Sequence, residues 1–249
     1  MLATRATAPA AMNWLAFDTS TEVMSVAVQR GDQIWHWQGP GGAQASTTLI
    51  PTVLALLAQA GLTCQTLNAI VFGRGPGSFT GLRTACAVAQ GLAHGANTPV
   101  LALDTLLSLA EAHRSQLGPT GRVLAVLDAR MGQLYAAAYR WQDNRWHVDA
   151  PPGLYDPSDL RLPDAWREDP SVLLAGSPVP EHAAALTRAL ERPWQCLPTE
   201  PHAQALLALA PAAWVAGLAL PAHQALPLYL RDKVAQTTAE REALQRASA

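Results

Sequence analysis

The stretch Val71-Phe72-Gly73-Arg74-Gly75-Pro76-Gly77-Ser78-Phe79-Thr80-Gly81-Leu82-Arg83 constrains this chain most, because an apolar run passes into a glycine-rich turn and then into helical spacing. Leu67 to Phe72 is short, apolar and partly β-branched, the pattern of a strand covered on both faces. Gly73, Gly75 and Gly77 permit a tight turn, and Ser78 or Thr80 offers an oxygen to the free amides of the helix that follows. That helix is predicted to run to about His94, and its small residues Ala85, Ala87, Ala89, Gly91 and Ala93 let another helix or a backbone come close. Three enzyme readings of the loop compete with a structural turn. A phosphate-cradling P-loop ends in Lys and Ser or Thr, and the only lysine of the chain is Lys233. A dinucleotide fingerprint needs a third glycine where Ser78 stands. A nucleophile elbow needs glycine two residues either side of the serine, where Ser78 has Pro76 and Thr80. The structural turn is the reading left standing.

The 249 residues are enough for a sizeable core in one large domain or two small ones, and 49 % apolar against 14 % charged residues argues against disorder over most of the chain. A net charge of −2 provides no electrostatic footprint for gripping RNA or an anionic membrane unaided. Cys64, Cys86 and Cys196 are odd in number and widely spaced, which suits a reducing compartment. Met1 to Met12 lacks the apolar middle of a signal peptide and reads as a loose tail or as sequence upstream of a start at Met12. Ala203 to Leu220 is apolar but holds Pro211, so a kinked or buried helix is expected there rather than a membrane span. The seven histidines are scattered, without a helical pair to hold a metal, and neither Ser78 nor Cys86 has a histidine near it in sequence to act as base.

Trp14 to Phe17, Val23 to Gln29 and Ile34 to Gln38 read as a three-stranded meander, with the polar turn Asp18 to Glu22 after the first strand. Ser46, Thr47 or Thr48 is expected to cap a helix to Ala60 with a broad apolar stripe, Leu49, Ile50, Val53, Leu54, Leu56 and Leu57. The central strand, loop and helix follow, then a strand Val100 to Leu103 and a helix from Asp104 or Thr105 to about His113. The plan then starts again. Arg122 to Leu127, Leu134 to Tyr139 and Trp146 to Val148 form a second predicted meander with Asp128 where the first has Asp18, before Pro151-Pro152-Gly153 breaks the chain. A strand Ser171 to Ala175, a helix Glu181 to Glu191, a strand Trp194 to Leu197 and the Pro-containing helix complete the reading. The expected organisation is a flexible tail over 1–12, a first lobe over 13–117, a second lobe with a returning C-terminal helix over 118–233, and a frayed tail over 234–249.

Gly73 to Arg83 closely resembles the signature of the bacterial TsaB (YeaZ) family of tRNA threonylcarbamoyladenosine biosynthesis, and Asp18-Thr19-Ser20-Thr21, Asp128-Ala129-Arg130-Met131-Gly132 and Tyr229-Leu230-Arg231 match further family blocks in family order. The resemblance spans roughly residues 14 to 234 and implies an α/β chain of the actin-like ATPase (ribonuclease H-like) fold, with two related lobes, each a mixed sheet with flanking helices. In that superfamily the two aspartate turns face each other across a nucleotide cleft with glycine close by. Here Ser20 and Arg130 stand two residues beyond Asp18 and Asp128, where phosphate oxygens need room. Asp18, Thr19 and Ser20 are either a remnant nucleotide site or an aspartate turn capping itself, the second being favoured.

The family resemblance further implies a cytoplasmic, non-catalytic subunit with no cofactor of its own, ATP and metal being on partner subunits. The partners would be a TsaD-like transferase and a TsaE-like ATPase, with tRNA reached only through the complex, no membrane, and a homodimer when the chain is alone. The transferred group would pass from threonylcarbamoyl-AMP to the adenosine next to the anticodon. The two first-lobe helices would form the partner surface, through Leu49, Val53, Leu57, Arg74, Ser78, Phe79, Thr80, Arg83, Ala87 and Gln90, with Arg74 and Arg83 reaching carboxylates or a phosphate. The competing reading places both helical faces against the chain's own sheet. Gly41 to Ser46 is small and neutral where the family often carries charge. An actin-fold kinase and a glycoprotease-like peptidase are the alternative functions.

Overall fold

The computed structural model describes residues 12–177, 182–191, 194 and 196–231. Apart from Met12, the tails expected over 1–12 and 234–249 lie outside them. Strand β1 (Asn13–Asp18) pairs antiparallel with β2 (Val23–Arg30), which pairs antiparallel with β3 (Gln33–Pro40). On its other side β1 pairs parallel with β4 (Ala69–Gly75), and β4 pairs parallel with β5 (Val100–Asp104), giving the order β3-β2-β1-β4-β5. The second half repeats this. β6 (Gly121–Asp128), β7 (Leu134–Gln142) and β8 (Arg145–Tyr155) form the meander, and β9 (Leu173–Ser177) and β10 (Cys196–Pro198) add in parallel, in the order β10-β9-β6-β7-β8.

Alternation along β1 decides what covers each face of the first sheet. Leu15 and Phe17 point into one core with α1 (Ala45–Gln59) and α2 (Phe79–Ala96), while Trp14 and Ala16 point into another with α5 (Ala203–Val215). In the second sheet, Leu124 and Val126 pack with Trp166 and with Leu186 of α4 (Ala183–Ala189), and Val123, Ala125 and Leu127 pack with Leu106 and Leu109 of α3 (Thr105–Ala112). Thus α3, which ends the first repeat, covers the second sheet, and α5, which follows the second repeat, covers the first. The two helices also touch each other, which ties the lobes at their back. Met12 is buried in the α5 core with Trp14.

Two local expectations need correcting. Pro151-Pro152-Gly153 does not break the chain: β8 runs through it, because β8 is an edge strand and the register shifts between the pairs Ala138↔Ala150 and Ala136↔Gly153, leaving room for prolines outside the ladder. Nor do Ser46, Thr47 and Thr48 cap α1; a 3-10 turn, Gly42–Gln44, leads into it, and the Thr47 and Thr48 hydroxyls donate back to the Gln44 carbonyl at 2.9 and 2.8 Å. Between β8 and β9 the second lobe has only the short 3-10 turn Asp164–Trp166 where the first lobe has α1. Among the described residues no helix is long and apolar enough to cross a membrane.

Candidate functional site

The glycine loop after β4 lies directly on the turn after β1. A Cβ on Gly73 would fall 1.8 Å from Asp18 Oδ2, and one on Gly81 would fall 1.9 Å from the Thr19 carbonyl oxygen. The glycines are therefore required by close approach to the chain's own first turn. Polar contacts hold the two together: the Ser78 N–H donates to the Ser20 carbonyl at 2.7 Å, and Thr19 Oγ1 donates to the Gly81 carbonyl at 2.8 Å. Ser78 occupies the N-cap position of α2, but its side chain accepts no capping bond. The loop's anchor is backbone.

Asp18 is fully buried, and both of its oxygens are engaged. Oδ1 accepts from the Ser20 N–H at 2.7 Å and from Ser20 Oγ at 2.5 Å, while Oδ2 accepts from Thr105 Oγ1 at 3.1 Å. Burial pushes this carboxyl above its ordinary range, against the downward pull of the Ser20 and Thr105 hydrogen bonds, and Glu200 adds a further upward push. Asp18, Thr19 and Ser20 thus form a self-satisfied turn whose carboxylate faces protein.

Beside it, a cleft of about 590 Å³ opens between the lobes, lined by Ser20, Glu22, Ser78, Asp128, Glu200 and Tyr229 among others. Its second wall is the turn after β6, where Asp128 Oδ1 accepts from the Arg130 N–H at 3.0 Å, repeating the Asp18 to Ser20 contact. Here Arg130, Met131 and Gly132 are all left-handed, with φ of 62°, 55° and 75°. Arg130 reaches across the cleft to Glu22 at 2.7 Å, and Thr21 Oγ1 donates to Glu200 Oε2 at 2.9 Å. The described residues contain no group of three or more His, Cys, Asp or Glu side chains suited to a metal ion.

The residues expected at a partner surface do not share one face. Leu49, Val53 and Leu57 are at most 3 % exposed and face the sheet, so they belong to the core; the large outward apolar residues of α1 are Ile50 and Leu54, 43 % and 53 % exposed. On α2, Thr80, Arg83 and Ala87 are exposed and Gln90 is half-buried, its amide donating to the Ala225 carbonyl at 2.8 Å. Arg74 pairs within the chain, its Nε donating to Asp104 Oδ1 at 2.7 Å. Ser78 and Phe79 line the cleft. Arg83 lies 3.9 Å over the Phe79 ring, and the same ring packs on Tyr229 with centroids 5.3 Å apart.

These features can be compared with known proteins. Residues 42–165 match the family model of TsaD, tRNA N6-adenosine threonylcarbamoyltransferase. The solved structure of YeaZ from Pseudomonas aeruginosa superposes with a TM-score of 0.76 and 36 % identity, covering 88 % of this chain and 100 % of that one. The chain belongs to the TsaB (YeaZ) family. A second Pseudomonas aeruginosa structure, of a protein described as similar to peptidase YEAZ, gives a TM-score of 0.77 at 35 % identity, covering 88 % of this chain and 100 % of that one. Among curated relatives, the tRNA threonylcarbamoyladenosine biosynthesis protein TsaB of Escherichia coli (strain K12) is 39 % identical over 137 residues, 55 % of this chain and 59 % of that protein's length. The chain therefore spans little more than half of that TsaB, whereas it spans the whole of the solved YeaZ chain. The two-lobed α/β architecture of the actin-like kind is thus the one expected.

At this site the sequence alone assigns no contact to Thr105, Glu200, Tyr229 or Arg231. The Tyr229-Leu230-Arg231 block was visible as a motif, but its position beside Phe79 and Ala129 depends on a chain return of more than 100 residues. Thr105 was legible only as a helix cap, yet its hydroxyl joins the Asp18 turn to the glycine loop by accepting from the Gly75 N–H at 3.2 Å.

Proposed function

We propose that this chain is a non-catalytic subunit in tRNA threonylcarbamoyladenosine biosynthesis, docking its α1–α2 face on a TsaD-like transferase. The observation that carries the reading is the outward face of these helices. Ile50, Leu54, Ala55, Ala58, Thr80, Ala87 and Gly91 are exposed, and Arg83 is the only Lys, Arg, Asp or Glu on either helix. A face with one formal charge and several small residues suits close helix packing against a partner. Both helices lie within the stretch that resembles TsaD, so a TsaD-like partner would offer a matching pair and the contact would be pseudo-twofold. Without that partner, two copies of this chain would meet on the same face. A TsaE-like ATPase would join the pair, ATP and metal would sit on the partners, and tRNA would be met only through the complex. The group would then pass from threonylcarbamoyl-AMP to the adenosine next to the anticodon, in the cytoplasm.

The non-catalytic part of the reading is supported by the Asp18 turn, whose oxygens are already bonded, and by the cleft, which among the described residues has no histidine in its lining to activate Ser78. Calorimetric titration with the TsaD-like protein of the same organism tests the docking. Leu54→Asp and Arg83→Glu should each weaken binding at least about tenfold, the scale of an interface residue worth more than 1 kcal/mol, with melting temperatures nearly unchanged. Equal loss of binding and stability would reassign both residues to structure. ATP turnover by the isolated chain, or peptide cleavage abolished by Ser78→Ala, would return the kinase or peptidase reading.

A further inference from the structure

The segment from Ala225 to Arg231 has no regular secondary structure, yet it is bonded along its length to both lobes. The buried Ala225 accepts from Gln90 on α2, and the Leu228 N–H donates to the Arg74 carbonyl at 2.7 Å. Tyr229 packs on Phe79 at the start of α2, and Arg83 contacts both rings, over Phe79 and through Nε to Tyr229 Oη at 3.4 Å. Two residues later the chain is on the second lobe, where Arg231 Nη2 donates to the carbonyls of Ala129 at 3.0 Å and Arg130 at 3.3 Å. These carbonyls belong to the turn in which Arg130 and Met131 hold left-handed backbones that side chains disfavour, so the turn depends on outside support.

We propose that this segment is a latch that couples occupancy of the α2 face to closure of the cleft between the lobes. The inference rests on the reading that α2 carries the partner. Tyr229 ties the latch to Arg83, the one formal charge on the docking face, and Arg231 ties it to the Asp128 turn across the cleft. A partner that engages Arg83 fixes the Phe79–Tyr229 stack, and through it the backbone that places Arg231. Coupling of this kind is reciprocal: whatever loosens Arg231 from the second lobe weakens the partner by the same factor that the partner tightens the turn.

The test combines titration of the TsaD-like protein with hydrogen exchange in the turn, where the Ala129 and Gln133 amides are bonded at 2.9 and 3.1 Å and report on it. In the wild type, partner binding should slow exchange over residues 129–133. Arg231→Ala, remote from the helix face, should raise Kd about fivefold or more, the lower end of ordinary coupling, and abolish that slowing. Arg231→Lys should be intermediate, because one ammonium can donate to both carbonyls but lacks the second fork nitrogen, Nη1, that meets Met131 Sδ at 3.4 Å, and it carries the test if the alanine variant fails to fold. If the wild type binds but Arg231→Ala and Arg231→Lys both keep its Kd within about twofold, or the partner leaves exchange in the turn unchanged, the latch is overturned while the docking reading survives. A wild type that does not bind overturns both.

Discussion

The two lobes share one sheet topology but treat the turn after their first strand differently. In the first lobe the Asp18 turn is buried under the glycine loop, with Gly73 and Gly81 pressed onto it. In the second lobe Asp128 keeps about a fifth of its side chain exposed, makes the same bond to the residue two positions on, and lies beside His182 at 3.9 Å. Among the described residues no glycine-rich helix start covers it; Arg130 and Arg231 meet this turn from the cleft side. A duplicated architecture thus carries one turn specified by close packing and one specified by contacts between lobes. The same asymmetry extends to the helices, since α1, which supplies half of the exposed α1–α2 face of the first lobe, has no counterpart between β8 and β9.

Glycine replacement separates the two kinds of turn most sharply. Alanine is about 1 kcal/mol better than glycine inside a helix, but at Gly81 the added carbon would overlap the Thr19 carbonyl, and overpacking against backbone dominates. Gly81→Ala is expected to destabilise by about 3 kcal/mol or more in denaturant unfolding. Gly132→Ala in the second turn meets nothing within 4 Å and should cost only about 1 kcal/mol, for its left-handed φ of 75°. At Gly91, in the same helix as Gly81 and also open, alanine should stabilise by up to about 1 kcal/mol. Equal costs at Gly81 and Gly132 would remove the distinction between the turns.

A smaller effect, in pH dependence, sharpens the comparison between lobes. Asp18 is buried without a cation, and its raised folded-state pKa means that its contribution to stability is present below the ordinary carboxylate range and is lost as pH rises through the folded value. Asp18→Asn should therefore gain on the wild type in melting temperature as pH rises above the ordinary carboxylate range, about 4. Asp149 in the second lobe is the opposite case. Partial burial pushes it up, but Arg140, bonded at 2.9 and 3.1 Å, and the Trp166 indole, at 3.0 Å, bring it below its ordinary range. Its stabilisation is present above the unfolded value and is lost as pH falls through the folded one, so Asp149→Asn should converge on the wild type in acid. Parallel pH curves for both variants would contradict these environments.

The fold was legible because each meander announces itself by alternation and each lobe begins with a strand and an aspartate turn. Less was readable where the cause is distant in sequence. The glycines of the loop are fixed by the Thr19 carbonyl and the Asp18 carboxylate, more than 50 residues away, so they read locally as a generic turn. The stripe of α1 is apolar on both sides, which hid the division between buried Leu49, Val53 and Leu57 and exposed Ile50 and Leu54. Pro151 and Pro152 are strand breakers anywhere except at an edge, and only the sheet order reveals that β8 is one.

Whether this chain supports a partner's chemistry through the α1–α2 face is decided by a threonylcarbamoyl transfer assay with the TsaD-like and TsaE-like proteins of the same organism, with and without this chain. Transfer should require the chain, the chain alone should turn over nothing, and Leu54→Asp should abolish transfer. Transfer that proceeds equally well without it, or ATP or peptide turnover by the chain alone, would rule out a supporting subunit that has no catalysis of its own.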